Sequence, residues 1–94
     1  MKKYEIMYIV KANLDEETRN NVIGKLHDIL TKNGATIAKV DEWGIRDLAY
    51  LINDESKGYY IVLDINTEND TAIKEFNRLV RINPNVLRFL IIKK

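Results

Sequence analysis

Few side chains in this sequence could perform catalysis. The chain has one histidine, His27, and no cysteine, whereas nucleophilic catalysis needs a serine, threonine or cysteine beside a base. The remaining candidates are carboxylates at 15–17, 41–42 and 54–55, where acids are common at helix starts and in turns. The four scattered glycines form neither a phosphate loop nor a dinucleotide fingerprint. We therefore expect no catalytic residue, no metal and no cofactor, and the protein is predicted not to be an enzyme.

Length and composition are typical of a small globular protein. The 94 residues predict a single domain over 1–94, and a hydrophobic content of 46% is enough for a small core. The lack of cysteine suits a reducing cytoplasm, and no apolar run is long enough to predict a membrane span. The net charge of +1 argues against strong RNA binding by this chain alone. Clustered basic residues and a more basic partner could still provide it.

The hydrophobic periodicity predicts six elements that could position functional side chains. We predict strands over 4–10, 35–52, 59–65 and 86–92, a polar turn at 53–58, and helices from 13–15 to about 33 and from about 70 to Asn83-Pro84. This order is the split βαβ, or ferredoxin-like, arrangement of the α+β class. Both helices are one-sided, so we expect them on one face of a four-stranded antiparallel sheet. The opposite face is then left for solvent or a partner.

Local signals mark the first helix. Asn13 or Asp15 can accept hydrogen bonds from free backbone amides at its start, and Gly34 is expected to end it in a left-handed conformation. Gly24 is costly in mid-helix, and we attribute it to close packing on the sheet. His27 lies next to the apolar stripe in a chain with no other histidine and no cysteine, so it is expected at the surface or the boundary of the core rather than on a metal.

The longest predicted strand contains an irregularity. Trp43 and Ile45 occupy odd positions, whereas Leu48 and Tyr50 occupy even ones. Because strand side chains alternate faces with period two, this switch predicts an inserted residue or a bend. A glycine within the stretch fits either possibility, so we expect the strand to bend near 44–47.

The same stretch resembles the signature of a protein family, the S-six family of bacterial small-subunit ribosomal proteins. The signature is glycine, any residue, basic, polar, leucine, small, tyrosine, any residue, isoleucine, which reads here Gly44-Ile45-Arg46-Asp47-Leu48-Ala49-Tyr50-Leu51-Ile52. Weaker similarities extend the resemblance over essentially the whole chain: Tyr4-Glu5-Ile6, Gly34, Lys57-Gly58-Tyr59-Tyr60 and Val86-Leu87-Arg88.

The resemblance implies a structural constituent of the small ribosomal subunit in the cytoplasm. It implies binding to the central domain of small-subunit ribosomal RNA together with ribosomal protein S-eighteen, the two proteins acting as one RNA-binding unit. Such sharing would fit the weak net charge of this chain. Neither a membrane nor a small-molecule substrate is expected as a partner.

Within this resemblance, the basic residues near the chain ends are candidates for RNA binding. The first and last strands are neighbours in this fold, so we expect RNA phosphates to meet one patch made of Lys2, Lys3, Arg88, Lys93 and Lys94. The alternative is a solvated surface with terminal charges.

The bent strand is the candidate site for the protein partner. An aromatic side chain and an arginine beside a bend are typical interface anchors, which here are Trp43, Arg46 and Tyr50. The alternative is that the two aromatic residues simply cover the edge of the core. Apolar residues on the face away from the helices could be covered by either the partner or RNA, namely Met7, Ile9 and Val62.

A stand-alone RNA-recognition motif is the alternative function. Such modules share this fold and stack single-stranded bases on aromatic side chains of the middle strands. The stretch 57–63 partly resembles their basic-glycine-aromatic run but lacks the small residue and second aromatic that follow it. The alternation places Tyr59 with Ile61 and Leu63, on the face expected against the helices, so a core role for Tyr59 is favoured. Small-molecule-binding and acylphosphatase-like proteins of this fold rank lower, since fold alone does not decide function.

Overall fold

Six elements follow one another in the computed structural model, which describes residues 2–52 and 54–94. They are β1 (Lys2–Lys11), α1 (Glu16–Lys32), β2 (Thr36–Ile52), β3 (Glu55–Thr67), α2 (Thr71–Arg81) and β4 (Val86–Lys93). The strands form one antiparallel sheet in the order β2-β3-β1-β4, which confirms the predicted arrangement. The turn expected at 53–58 is shorter than predicted because β3 already begins at Glu55, and Asn53 lies outside the described residues.

Alternation along β1 and β3 builds the buried face of the sheet. Ile6, Tyr8 and Val10 lie beside Ile61 and Leu63, and all five side chains are inaccessible to solvent. Both helices cover this face with apolar stripes at helical spacing: Val22, Ile23, Leu26 and Leu30 from α1, and Ala72, Ile73, Phe76 and Val80 from α2. Burial of each of the larger side chains among these contributes about 1.5–3 kcal/mol, so this layer is the main core.

One polar contact lies at the boundary of this core. Tyr8 meets Phe76 edge-on, with ring centroids 6.0 Å apart, and its hydroxyl lies 3.0 Å from His27 Nε2. Burial raises the pKa of Tyr8 and lowers the pKa of His27. At neutral pH, therefore, a neutral phenol donates to a neutral imidazole. The half-buried position of His27 confirms its prediction as a boundary residue.

The ends of α1 follow the sequence signals in part. Asp15 occupies the N-cap position, but its side chain makes no cap hydrogen bond, and the acids Glu16 and Glu17 favour the start through the helix dipole. Gly34 follows the helix with φ +90°, as expected. The expectation that Gly24 packs on the sheet is wrong, because Gly24 is exposed and a Cβ there would meet no described atom within 4 Å.

The predicted irregularity in β2 lies at Trp43 and Gly44. The pairing of β2 with β3 shifts register between Glu42 and Gly44, and Gly44 has φ +83°, a conformation that favours glycine. Trp43 lies on the sheet face away from the helices, whereas Ile45 pairs with Tyr59 on the helix side. Regular alternation would place Trp43 and Ile45 on the same face. The extra residue of the bulge places them on opposite faces of the sheet.

Candidate protein and RNA interfaces

The sheet face away from the helices, hereafter the open face, carries an exposed apolar surface. Four aliphatic side chains from β1, β3 and β4 form its floor: Met7, Val62, Leu90 and Ile92. Leu90 is 49% exposed and Ile92 is 45% exposed. Together with Trp43 they line a groove of about 270 Å³, hereafter the open-face groove. A cluster of exposed apolar side chains rimmed by polar residues is typical of an interaction surface.

Carboxylates border the open-face groove. Glu5, Asp41 and Asp64 line it together with Lys39. Lys94 reaches the same rim, with its Nζ 3.0 Å from Asp64 Oδ1 and 3.5 Å from Glu5 Oε2. The hydrogen bond to Asp64 raises the pKa of Lys94. An apolar floor bordered by carboxylates disfavours phosphate and suits a protein segment with apolar and basic side chains.

Trp43 has a defined orientation at the side of this groove. Its ring stacks on Tyr60, with centroids 6.1 Å apart and planes 6° apart, and its Nε1 donates to Asp41 Oδ2 at 3.2 Å. The guanidinium carbon of Arg46 lies 6.0 Å from the Trp43 ring, and Arg46 Nε donates to the Trp43 carbonyl oxygen at 3.4 Å. The structure therefore brings Trp43 and Arg46 together. Sequence reasoning did not include Tyr60 in this site, although the alternation of β3 places its side chain on the sheet face opposite to that of Tyr59.

The far end of the β2–β3 hairpin folds over the open face. We call the described residues of 48–58 the hairpin tip. Tyr50 in this tip is 59% exposed, and its hydroxyl accepts a hydrogen bond from Arg88 on β4. The guanidinium carbon of Arg88 lies 5.4 Å from the centroid of the Tyr50 ring. The structure thus joins one residue predicted for the protein partner to one predicted for RNA, a contact that no sequence signal indicated.

A small apolar cluster holds the hairpin tip against the sheet. Ile9 is 4% exposed even though its position on β1 places it on the open face. Leu48 from the tip and Tyr60 from β3 line the same cavity of about 200 Å³ as Ile9. A Cβ at Gly58 would overlap Ile9 Cγ2 and lie 3.5 Å from Leu48 Cδ2. Glycine at this position therefore gives the Ile9 side chain its space, and the tip lies close to the sheet.

The structure separates the five predicted RNA-binding residues into two places. Lys2 and Lys3 begin β1, and Lys93 pairs with Tyr4 near the end of β4. The Lys94 backbone amide donates to the Lys3 carbonyl oxygen at 2.9 Å, so these four lysines share one end of the sheet, hereafter the lysine end. Arg88 instead pairs with Ile9, six residues farther along β1 than Lys3, or roughly 20 Å away. The five residues therefore do not form one patch.

Tyr59 lies on the helix side of the sheet, as the alternation predicted. Its hydroxyl donates to Glu42 Oε1 at 3.3 Å, and the guanidinium carbon of Arg19 from α1 lies 4.4 Å from its ring centroid. Burial and the neighbouring Glu42 raise the pKa of Tyr59. The Arg19 side chain from α1 thus lies over the Tyr59 ring, which is not presented on the open face.

The described part of the chain has neither a metal-binding cluster nor a helix able to span a membrane. No group of three or more histidine, cysteine, aspartate or glutamate side chains among residues 2–52 and 54–94 is arranged to hold a metal ion. Over the same residues, no helix combines the length and apolar character needed to cross a membrane.

Comparison with known proteins decides between families that share this fold. A family model described as "Ribosomal protein S6" matches residues 3–93. The chain belongs to the S-six family of ribosomal proteins. It is 50% identical over 93 residues to the "Small ribosomal subunit protein bS6" of Shouchella clausii, covering 99% of this chain and 97% of that protein. The same identity and coverage hold for the protein of that name from Halalkalibacterium halodurans.

A solved S-six structure has the same fold. The crystal structure of 30S ribosomal protein S6 from Thermotoga maritima superposes with a TM-score of 0.92 at 26% sequence identity, over 99% of this chain and 87% of that one. The family resemblance inferred from the 44–52 signature is therefore confirmed. As an S-six protein, the chain is a structural protein of the small ribosomal subunit and not an enzyme.

Proposed function

We propose that this S-six protein binds the central domain of small-subunit ribosomal RNA together with ribosomal protein S-eighteen, in the cytoplasmic ribosome. Residues 1–94 act in this as one domain. The observation that carries the proposal is the separation of two surfaces: an apolar, carboxylate-lined groove on the open face, and lysines at one end of the sheet. A chain of net charge +1 gains its RNA affinity by sharing the contact with a partner.

The protein partner docks on the open face. Its floor is apolar, and the stacked Trp43 and Tyr60 rings are already ordered, so binding costs little side-chain freedom there. Arg46 beside Trp43 adds a guanidinium at the side of the groove, and arginine and tryptophan are enriched among residues that dominate interface energies. The carboxylates of Asp41 and Asp64 would pair with basic residues of the partner.

RNA phosphates meet the lysine end of the sheet. Lys2 and Lys3 are exposed at the start of β1, and Lys93 is exposed on the adjacent strand. Lys94 shares its charge with two carboxylates, so it contributes less to the local field than the other three. Arg88 forms a separate contact point beside the hairpin tip.

The proposal is tested by measuring binding to a central-domain RNA fragment with and without S-eighteen, across a salt series. Tight binding is expected when both proteins are present and weak binding with either alone. Tight binding of this chain alone to single-stranded RNA would favour the RNA-recognition-motif function. An absence of RNA binding in both conditions would refute the proposal.

A charge-matched pair of variants assigns the RNA surface. The double variant Lys2→Ala, Lys3→Ala should weaken RNA binding by the protein pair. It should also reduce the slope of log affinity against log salt by about one unit for each phosphate that is no longer neutralised. The control Lys25→Ala, Lys32→Ala removes the same charge from exposed positions of α1 and should have a smaller effect. Equal salt slopes for both variants would show that Lys2 and Lys3 do not bind RNA phosphates specifically.

A further inference from the structure

We propose that Tyr50 is a positioning residue for Arg88, and that their contact couples the partner's surface to the RNA surface. The inference rests on the proposed function and deepens it. Tyr50 belongs to the hairpin tip that the partner is proposed to contact, and Arg88 is proposed to meet an RNA phosphate. The hydrogen bond between them therefore connects two sites that would otherwise act independently.

The contact spans the sheet from one side to the other. Tyr50 lies on β2 and Arg88 on β4, and both β3 and β1 lie between these strands. Three strand spacings of about 4.8 Å would separate the two backbones by roughly 14 Å in a flat sheet. The hairpin tip closes this distance by folding over the open face, where Arg88 donates to the Tyr50 hydroxyl and also lies near its ring.

The hairpin tip packs on the sheet, and this packing fixes the position of Tyr50. Ile9 is almost fully buried beneath it, and Leu48 from the same tip lines the cavity around Ile9. Glycine at position 58 leaves the space that this packing needs. Tyr50 therefore belongs to a packed segment and not to a free loop. Its hydroxyl can hold the long Arg88 side chain in place.

A held arginine binds phosphate better than a free one. Arg88 is an exposed side chain with several rotatable bonds, and ordering them on binding RNA costs conformational entropy. The Tyr50 hydroxyl uses one of the guanidinium N–H groups and leaves the others for a phosphate, which arginine can bind in a bidentate manner. A partner that fixes the hairpin tip fixes Arg88 with it, so RNA affinity rises when the partner is bound.

A double-mutant cycle tests the coupling, using the complex of this chain with S-eighteen and the central-domain RNA fragment. Tyr50→Phe keeps the ring but removes the hydroxyl acceptor, and Arg88→Ala removes its donor. We expect Tyr50→Phe to weaken RNA binding about fivefold, equivalent to about 1 kcal/mol at 1.4 kcal/mol per tenfold. In the Arg88→Ala background the same substitution should have no effect, because the hydroxyl acts through Arg88. The salt slope should fall in both single variants.

The control is Tyr59→Phe, which removes a phenol hydroxyl from a tyrosine on the helix side of the sheet, outside both proposed surfaces. It should leave RNA affinity unchanged. Binding of S-eighteen without RNA is measured for Tyr50→Phe as well, and any loss there should be smaller than the loss of RNA affinity, because the ring is retained.

Three results would overturn the inference. An equal loss on Tyr50→Phe with and without Arg88 would mean that Tyr50 contacts RNA or the partner directly. A parallel loss of S-eighteen affinity in Tyr50→Phe would place its effect at the protein interface. An absence of RNA binding by the unsubstituted pair would refute the proposed function as well, which distinguishes that failure from a failure of the coupling alone.

Discussion

At the scale of single residues, the burial of His27 beside Tyr8 makes stability depend on pH. Burial lowers the pKa of His27 in the folded state, while the carboxylates of Glu42 and Asp28 oppose this in part. The unfolded chain therefore binds a proton on His27 more readily, with a pKa of about 6.5. The contribution is complete above that pKa and is lost as the pH falls through it towards the folded pKa.

Urea denaturation between about pH 7 and pH 5 measures this effect. The free energy of unfolding should decrease as the pH falls across this window, and NMR titration of His27 should give a pKa below that of the unfolded chain. The variant His27→Gln keeps a hydrogen-bond acceptor for Tyr8 but does not titrate, so its pH dependence should be flatter. Identical slopes in the two proteins would show that His27 is not responsible.

The glycines of the first helix give opposite predictions for the same substitution. Gly24→Ala should raise the free energy of unfolding by about 0.5–1 kcal/mol, because the position is exposed, helical and open to a Cβ. Gly34→Ala should lower it by about 1–2 kcal/mol, because φ is +90° there. Chemical denaturation of both variants provides the measurement. Destabilisation by Gly24→Ala would contradict the finding that position 24 has room for a Cβ.

At the scale of elements, the position of the hairpin tip depends on the space above Gly58. Gly58→Ala should destabilise the protein by about 1–3 kcal/mol, since its Cβ would overlap Ile9 Cγ2. Ile9→Ala alone should also be destabilising, because it removes a buried side chain. In the double variant the shortened side chain at position 9 makes room, so the combined loss should be smaller than the sum of the separate losses. Simple additivity in denaturation experiments would contradict this account of the packing.

Sequence reasoning succeeded for elements whose side chains follow one period. The strict alternation of β1 and β3 and the helical stripes of α1 and α2 were enough to predict the order of elements and the buried face. The parity switch in β2 indicated an irregularity, but the face of Trp43 depends on where the extra residue lies. The contact between Tyr50 and Arg88 could not be predicted, because it arises from folding of the tip across two intervening strands.

At the scale of the whole molecule, two exposed aliphatic side chains on opposite sides give a matched test of the partner surface. Leu90→Asp introduces a charge into the floor of the open-face groove and should weaken S-eighteen binding about tenfold or more. Ile82→Asp places the same charge at an exposed position after α2, on the helix side, and should leave binding unchanged. Isothermal calorimetry gives both affinities. A loss of S-eighteen affinity for Ile82→Asp but not for Leu90→Asp would indicate that the partner binds the helix side of the sheet.

The bulge in β2 has a consequence for the protein before it joins any assembly. β2 lies at one margin of the described sheet, and a 17-residue strand there can template pairing with a second chain. The bulge at Gly44 breaks the regular register of this strand, and charged residues such as Lys39, Asp41 and Asp47 flank it. The kink that places Trp43 on the open face therefore also makes β2 a poorer template for pairing with a second chain.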